Sequence, residues 1–247
     1  WLEHQIPSQL KTWGECTFTF DPKCSNYDWL VVYDDLGPAQ GFRKHERRER
    51  LSCPKENTIL FTNEPDSIKH YGSSYVQQFG HIFTSQRDWA LSHPVKNFTQ
   101  SSLAWMIGVS HHNGSLTFEE TLKLNIEDKP KCISLIMSNK AMSHTMHKSR
   151  FNCLSYLSNR VENIEIFGRT PPARPLNDKK DALTPFKYTV AIENHRSDHY
   201  WTEKISDAFI AGTLPFYDGA TNINSYFPQE SFIQIDMMNP SQSLDII

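Results

Sequence analysis

The chain is punctuated into short apolar runs, most of them too short to be helices. Trp29–Tyr33, Asn57–Thr62, His81–Thr84, Cys132–Met137, Ile164–Phe167, Phe186–Ile192, Thr213–Tyr217 and Ser231–Ile235 each read as a buried strand, and Cys16–Phe20 reads as a further one. Helical spacing appears in two places. Thr145 can cap a helix in which Phe151, Leu154 and Leu157 share a face. Thr202 stands at an N-cap position ahead of Ile205, Ala208 and Phe209, and Gly212 is placed to stop that helix. A short helix is predicted around Asn222–Phe227. Strand, loop, helix and strand alternate from Phe186 onward, the arrangement that builds a parallel sheet with ligands at strand carboxyl ends. The predicted class is α/β.

Breakers set the organisation. Pro65 forces Glu64 into an extended conformation and ends the Asn57–Thr62 strand. Ser92–Leu122 reads as irregular, with a tight turn at Asn113-Gly114. Asp128-Lys129-Pro130 reads as a linker, which predicts two domains, 1–127 and 128–247. Pro171–Lys180 reads as a proline-rich, charged connection.

Composition narrows the classes. The chain has 247 residues, 38% of them apolar, enough for one large or two small cores. A net charge of −3 gives no nucleic-acid footprint. Mean hydropathy is −0.55, and no apolar run is long enough to span a bilayer. No secretory signal is visible, and a peripheral membrane association is compatible with the chain. Cys16, Cys24, Cys53, Cys132 and Cys153 are odd in number and lack a CxxC pair, so a reducing cytoplasm is expected. The sequons at Asn97 and Asn113 carry no weight there.

Several constellations could carry chemistry. Glu203-Lys204 lies in the first turn of the helix after Thr202. A lysine opposes the positive end of a helix dipole unless an anion such as phosphate sits there too. A solvated surface lysine is the competing reading. Asp34-Asp35 follows a strand but is not the DxD spacing of Mn²⁺-dependent glycosyltransferases. The charged stretch Phe42–Glu49 reads as a solvated face rather than an acceptor patch. His144/His147 and His195/His199 have permissive spacings without an HExxH, so no metal is expected. With no GxGxxG and no Walker loop, phosphates must be held by side chains and helix ends.

The ordered segments AIEN, HRSDHYWTEK, DAF, AGTLPFYDGA, YFP and SFIQID resemble the donor-binding motif of glycosyltransferase family 10, the α-1,3-fucosyltransferases. The resemblance is strong from about Cys132 onward and thin before it. It implies a GT-B fold, two facing Rossmann-like domains with the active site in the cleft between them. It also implies inverting transfer of L-fucose from GDP-fucose to a glycan hydroxyl, with a GlcNAc-type acceptor and no cofactor. Residue by residue, Lys204 and Arg150 would stabilise the departing diphosphate. Lys148 is the substitute for Arg150 if the gapped alignment shifts. Asn194, Tyr200 and Glu203 would contact the nucleotide sugar, as would Ser138 and Asn139 after the Cys132–Met137 strand. Glu203 would also offset positive charge at the anomeric carbon, and Glu193 would hold the loop. Glu64, in FTNEP, would be the general base. Use of another nucleotide 6-deoxysugar and a non-catalytic carbohydrate-binding relative are the alternatives.

Overall fold

The computed structural model describes residues 2–7, 11–21, 23–34, 50–101, 104–110, 114–138, 142, 145–169 and 173–247. The chain divides into two compact units. One comprises 20–103 with 198–200, and the other 1–19, 104–197 and 201–247. This division differs from the 127/128 boundary expected from the sequence, because 1–19 and 104–127 group with the C-terminal sheet.

In chain order, a small antiparallel hairpin comes first, β1 (Thr12–Trp13) paired with β2 (Cys16–Thr17). The Cys16–Phe20 run is therefore only a two-residue strand, too short and too exposed to be a core element. The first unit then forms a four-stranded parallel sheet in sequential order. Its strands are β3 (Leu30–Tyr33), β4 (Thr58–Phe61), β5 (His81–Thr84) and β6 (Lys96–Phe98). Leu60 and Ile82 are fully buried in its core with Val32, Val76 from α1 (Ser73–Val76), Phe79 and Leu91. Strand β6 lies inside the stretch expected to be irregular. Its sequence Lys-Asn-Phe carries no apolar run, so only pairing to β5 reveals it.

Other described parts of that stretch form regular elements as well. β7 (Val109–Ser110) pairs antiparallel with β8 (Gly114–Ser115). Gly114 has φ +77°, which a side-chain-bearing residue adopts only at a cost; Asn113, the other half of the expected turn, lies outside the described residues. Helix α2 (Phe118–Thr121) follows with a complete capping box between Thr117 and Glu120.

The second unit is built on a five-stranded parallel sheet. It contains β9 (Lys131–Met137), β10 (Ile164–Gly168), β11 (Phe186–Ile192), β12 (Leu214–Asp218) and β13 (Ile233–Gln234), in the spatial order β10-β9-β11-β12-β13. All four pairings are parallel. Alternate residues serve opposite faces, as strand geometry demands. Ile133, Leu135, Val190, Ile192 and Phe216 pack with Cys153, Leu154 and Leu157 of α3 (His147–Ser158). Ala191 and Tyr217 point to the other face and pack with Ile205 of α5 (Glu203–Ile210). Ser134 and Thr189, paired across β9 and β11, exchange a buried hydroxyl contact of 3.0 Å. Burial on this face pushes the Cys153 thiol up to about 12, so it is a packing group rather than a nucleophile.

Helix boundaries follow local chemistry. Thr202 caps α5 as expected, its hydroxyl accepting from the Lys204 N–H. Gly212, at φ +62°, follows the Ala211 C-cap. Helix α3 begins at His147 after Met146, and Thr145 serves its start as expected, its hydroxyl accepting the His147 N–H at 3.3 Å and also meeting the ring Nδ1 at 2.6 Å. The Asn222–Phe227 helix is a single 3₁₀ turn, Ile223–Ser225. The proline-rich connection at Pro171–Lys180 runs into α4 (Lys180–Leu183), and the chain's last element is α6 (Pro240–Ile246), capped by Asn239. Among the described residues no helix is long and apolar enough to cross a membrane.

Candidate active site

The second sheet reverses its winding between β9 and β11. Counted in chain order its strands run second, first, third, fourth, fifth. Open α/β sheets bind ligands at the carboxyl ends beside such a reversal. Two of the expected donor residues lie at that end. Ser138 directly follows β9, and Asn194 follows β11 by two residues. Asn139 lies outside the described residues.

His147 joins the two sides. Its Nε2 lies 3.4 Å from the Asn194 Nδ2, and its Nδ1 faces the Thr145 hydroxyl. An amide N–H can only donate, so Nε2 accepts and Nδ1 carries the proton. The ring is buried, which fixes both hydrogen bonds. Arg150 lies one turn further along α3, on the same face as His147, and is half-buried. Lys148, the substitute for it, is exposed. The sequence reading weighed His147 only as half of a metal pair; its role as the link to Asn194 was missed. Among the described residues no group of three or more His, Cys, Asp or Glu could hold a metal ion.

The start of α5 is built on Glu193, whose carboxylate is fully buried. Oε1 accepts the Thr202 backbone N–H at 2.8 Å and the Thr202 hydroxyl at 2.7 Å. Oε2 accepts the Lys204 ammonium at 2.9 Å. The ammonium also donates to Thr202 Oγ1 at 2.7 Å and lies 3.5 Å from Glu203 Oε1. Lys204 thus sits in the first helical turn because a buried carboxylate at the end of β11 offsets both its charge and the helix dipole. The competing picture of a solvated lysine does not hold, since its side chain is only 17% exposed. Gly219 packs against this group. A Cβ there would lie 2.3 Å from the Tyr217 hydroxyl and 2.5 Å from Glu193 Cγ, leaving no room for a side chain.

Glu203 has two cations. Lys179 reaches its Oε1 at 3.1 Å, and Lys204 stands at 3.5 Å. Burial pushes the Glu203 carboxyl up, but the two ammonium groups outweigh it and hold the acid well below the usual carboxylate range. Glu203 is therefore an anion and a hydrogen-bond acceptor, suited to sugar hydroxyls or to a developing positive charge.

A cavity of about 290 Å³ opens at the carboxyl ends of β12 and β13, lined by Arg196, Asp218, Thr221, Gln234 and Asp236 among others. Arg196 grips Asp218 with two donors and Asp236 at 2.7 Å. Asp218 also accepts the Met237 N–H at 2.7 Å, so this triad ties β13 to the loop after β11.

Tyr200 is buried and groups with residues 20–103. Glu64 lies in that first unit, just past the carboxyl end of β4. Its loop is braced on both sides. Gln86 donates to the Glu64 and Lys69 carbonyls, each at 2.8 Å, and Arg87 grips the buried Asp66 with two donors at 2.7 and 2.9 Å. Asp34, from the pair weighed as a metal motif, is instead held by Lys69 at 2.9 Å and by the Tyr71 hydroxyl. Asp35 and the charged stretch 42–49 lie outside the described residues.

Comparison with known proteins bears on the second unit. Residues 126–245 match the model described as glycosyltransferase family 10 (fucosyltransferase), C-terminal part. This segment, just under half of the chain, is similar to the C-terminal part of that family. Mouse alpha-(1,3)-fucosyltransferase 4 is 33% identical over 103 residues, 40% of this chain and 24% of that protein. Human 4-galactosyl-N-acetylglucosaminide 3-alpha-L-fucosyltransferase 9 is 28% identical over 123 residues, 48% of this chain and 33% of that protein. The chain therefore covers a third or less of these relatives' length. A crystal structure of an α1,3-fucosyltransferase with GDP aligns with a TM-score of 0.50 and 16% identity, over 89% of this chain and 65% of that one. The likeness shows the fold, which is α/β of GT-B type, as the sequence reading expected. In this sheet Ser138 and Asn194 follow β9 and β11, Glu203 and Lys204 open α5, and Arg150 lies in the first turn of α3.

Proposed function

We propose that this protein transfers L-fucose from GDP-fucose to a hydroxyl of a glycan acceptor, with inversion at the anomeric carbon. The observation that carries the reading is the gathering of an ammonium, a carboxylate and an amide at the winding reversal of a domain similar to family 10. The relatives' printed names supply the sugar and the 3-linkage, and the solved structure supplies GDP as a ligand of that fold.

The chemistry asks little more than these groups. The acceptor O–H attacks the anomeric carbon, the bond from that carbon to the diphosphate oxygen breaks, and GDP leaves with the electron pair. Lys204 and Arg150 offset the charge that builds on the diphosphate. A guanidinium can meet two phosphate oxygens at once, which an ammonium cannot. Glu203 and Asn194 hydrogen-bond the sugar, Tyr200 packs toward the donor, and Ser138 and Asn139 contact the nucleotide. Glu64 takes the acceptor proton. No metal step is required, so chelation with EDTA should leave transfer intact.

The test is isothermal titration of the protein with GDP and with UDP. Binding of GDP with UDP at least tenfold weaker supports the reading. Tight UDP and absent GDP binding would overturn the donor assignment.

A further inference from the structure

Lys179 comes from the proline-rich connection before α4 and has no place in the family motif read from the sequence. Its ammonium lies 3.1 Å from Glu203 Oε1 and 2.7 Å from Asp207 Oδ2. Asp207 is buried on α5, and its other oxygen accepts the Met106 and Ile107 N–H groups at 2.7 and 3.0 Å. The charges therefore alternate in a line, Glu193, Lys204, Glu203, Lys179 and Asp207. Three carboxylates share two ammonium groups. Burial works against the Lys179 charge, but Asp207 and Glu203 outweigh it and hold its pKa above the ordinary lysine value.

Distances show how the line is balanced. Lys204 stands closer to Glu193, 2.9 Å, than to Glu203, 3.5 Å. Glu203 is closer to Lys179, at 3.1 Å. With Lys179 gone, Lys204 would be the one ammonium left to Glu203 in this line, and Coulomb attraction would draw Lys204 off Glu193 and Thr202.

We propose that Lys179 is a positioning residue of the donor site, acting through Glu203. It holds the Glu203 carboxylate in place and so leaves Lys204 aimed by Glu193. The inference rests on reading this domain as a nucleotide-diphosphate-sugar site. The groups facing Glu203 are Lys179 before α4, Lys204 and Asp207 on its own helix, and, through Lys204, Glu193 at the end of β11.

Lys179→Met alone strands the Asp207 charge in the interior and can fail to fold. The informative variant is Lys179→Met/Asp207→Asn, in which both charges go and the asparagine oxygen still accepts from residues 106 and 107. Asp207→Asn alone is its control, and Lys179→Arg is the charge-conserving variant. Two readouts are taken, GDP affinity by calorimetry and the titration of the Glu203 carboxyl by ¹³C NMR, assigned with Glu203→Gln. The double variant should bind GDP roughly tenfold more weakly, within the usual range of coupling between neighbouring sites, and its Glu203 should titrate at higher pH. Lys179→Arg should keep both values near the parent, and Asp207→Asn should keep GDP affinity. An unmoved Glu203 titration, or unchanged GDP affinity in the double variant, would overturn the proposal. If the parent itself does not bind GDP, the donor reading fails, while the Glu203 titration still decides whether Lys179 acts on Glu203.

Discussion

Replacing Glu193 by glutamine removes one negative charge and one acceptor from the most connected group of the site. The parent carboxylate takes two bonds from Thr202 on Oε1 and the Lys204 ammonium on Oε2. An amide of the same shape keeps one oxygen for the Thr202 N–H. Its NH₂ then meets either the Thr202 hydroxyl or the ammonium, and the second of these is donor against donor. Removing one partner of a buried ion pair costs about 3–5 kcal/mol. Glu193 is fully buried but Lys204 is 17% exposed, so water can reach the ammonium and the lower end, about 3 kcal/mol, applies. For a chain of this size that converts to a fall in melting temperature of about 6–12 °C. Differential scanning calorimetry at pH 7.5 reads it directly, with GDP titration on the same sample. GDP affinity should fall with stability, because the displaced ammonium is the one assigned to the diphosphate. A variant that melts within about 2 °C of the parent and binds GDP normally would refute the claim that Glu193 aims Lys204.

Two further outcomes follow from the same geometry. Glu203 titrates below its ordinary value in the folded protein, so its contribution is complete above its unfolded pKa of about 4.3 and is lost as pH falls through the depressed folded value. Urea midpoints should therefore drop below about pH 4 in the parent and drop less in Glu203→Gln; parallel acid profiles would remove Glu203 from the charged line. Arg87→Ala should free the buried Asp66 and loosen the loop that carries Glu64. With half of the Arg87 side chain in water, the expected loss is about 1–2 kcal/mol, accompanied by slower transfer at unchanged GDP affinity, which steady-state kinetics and calorimetry together would show or exclude.

The sequence disclosed what local chemistry controls. Thr202 ahead of an apolar stripe marked α5, and the unbroken runs at 132–137 and 186–192 marked two central strands of the parallel sheet. Two local signals were there and went unread, the Thr117/Glu120 capping box and Asn239-Pro240 at the start of α6. Other features have no local signature. Residues 104–127 group with the second sheet partly because Asp207 and Asp178, 100 and 70 positions away, accept the N–H groups of Ile107 and Gly108. No periodicity encodes such a contact. Lys179 read as part of a charged connection because its partners, Glu203 and Asp207, lie more than twenty residues on. The reading of Glu193 as a loop holder was right in kind, but that it binds Lys204 emerges only when β11 and α5 are brought together.

The proposed function assigns the acceptor proton to Glu64 and the diphosphate to Lys204. The most direct measurement is GDP affinity beside fucosyl turnover for Glu64→Gln and Lys204→Ala. General-base catalysis supplies about 10²–10⁴-fold, so Glu64→Gln should lose turnover by about that factor and keep its GDP affinity. Lys204→Ala should lose both together. Normal turnover in Glu64→Gln, or a loss of GDP binding there as large as in Lys204→Ala, would contradict the account.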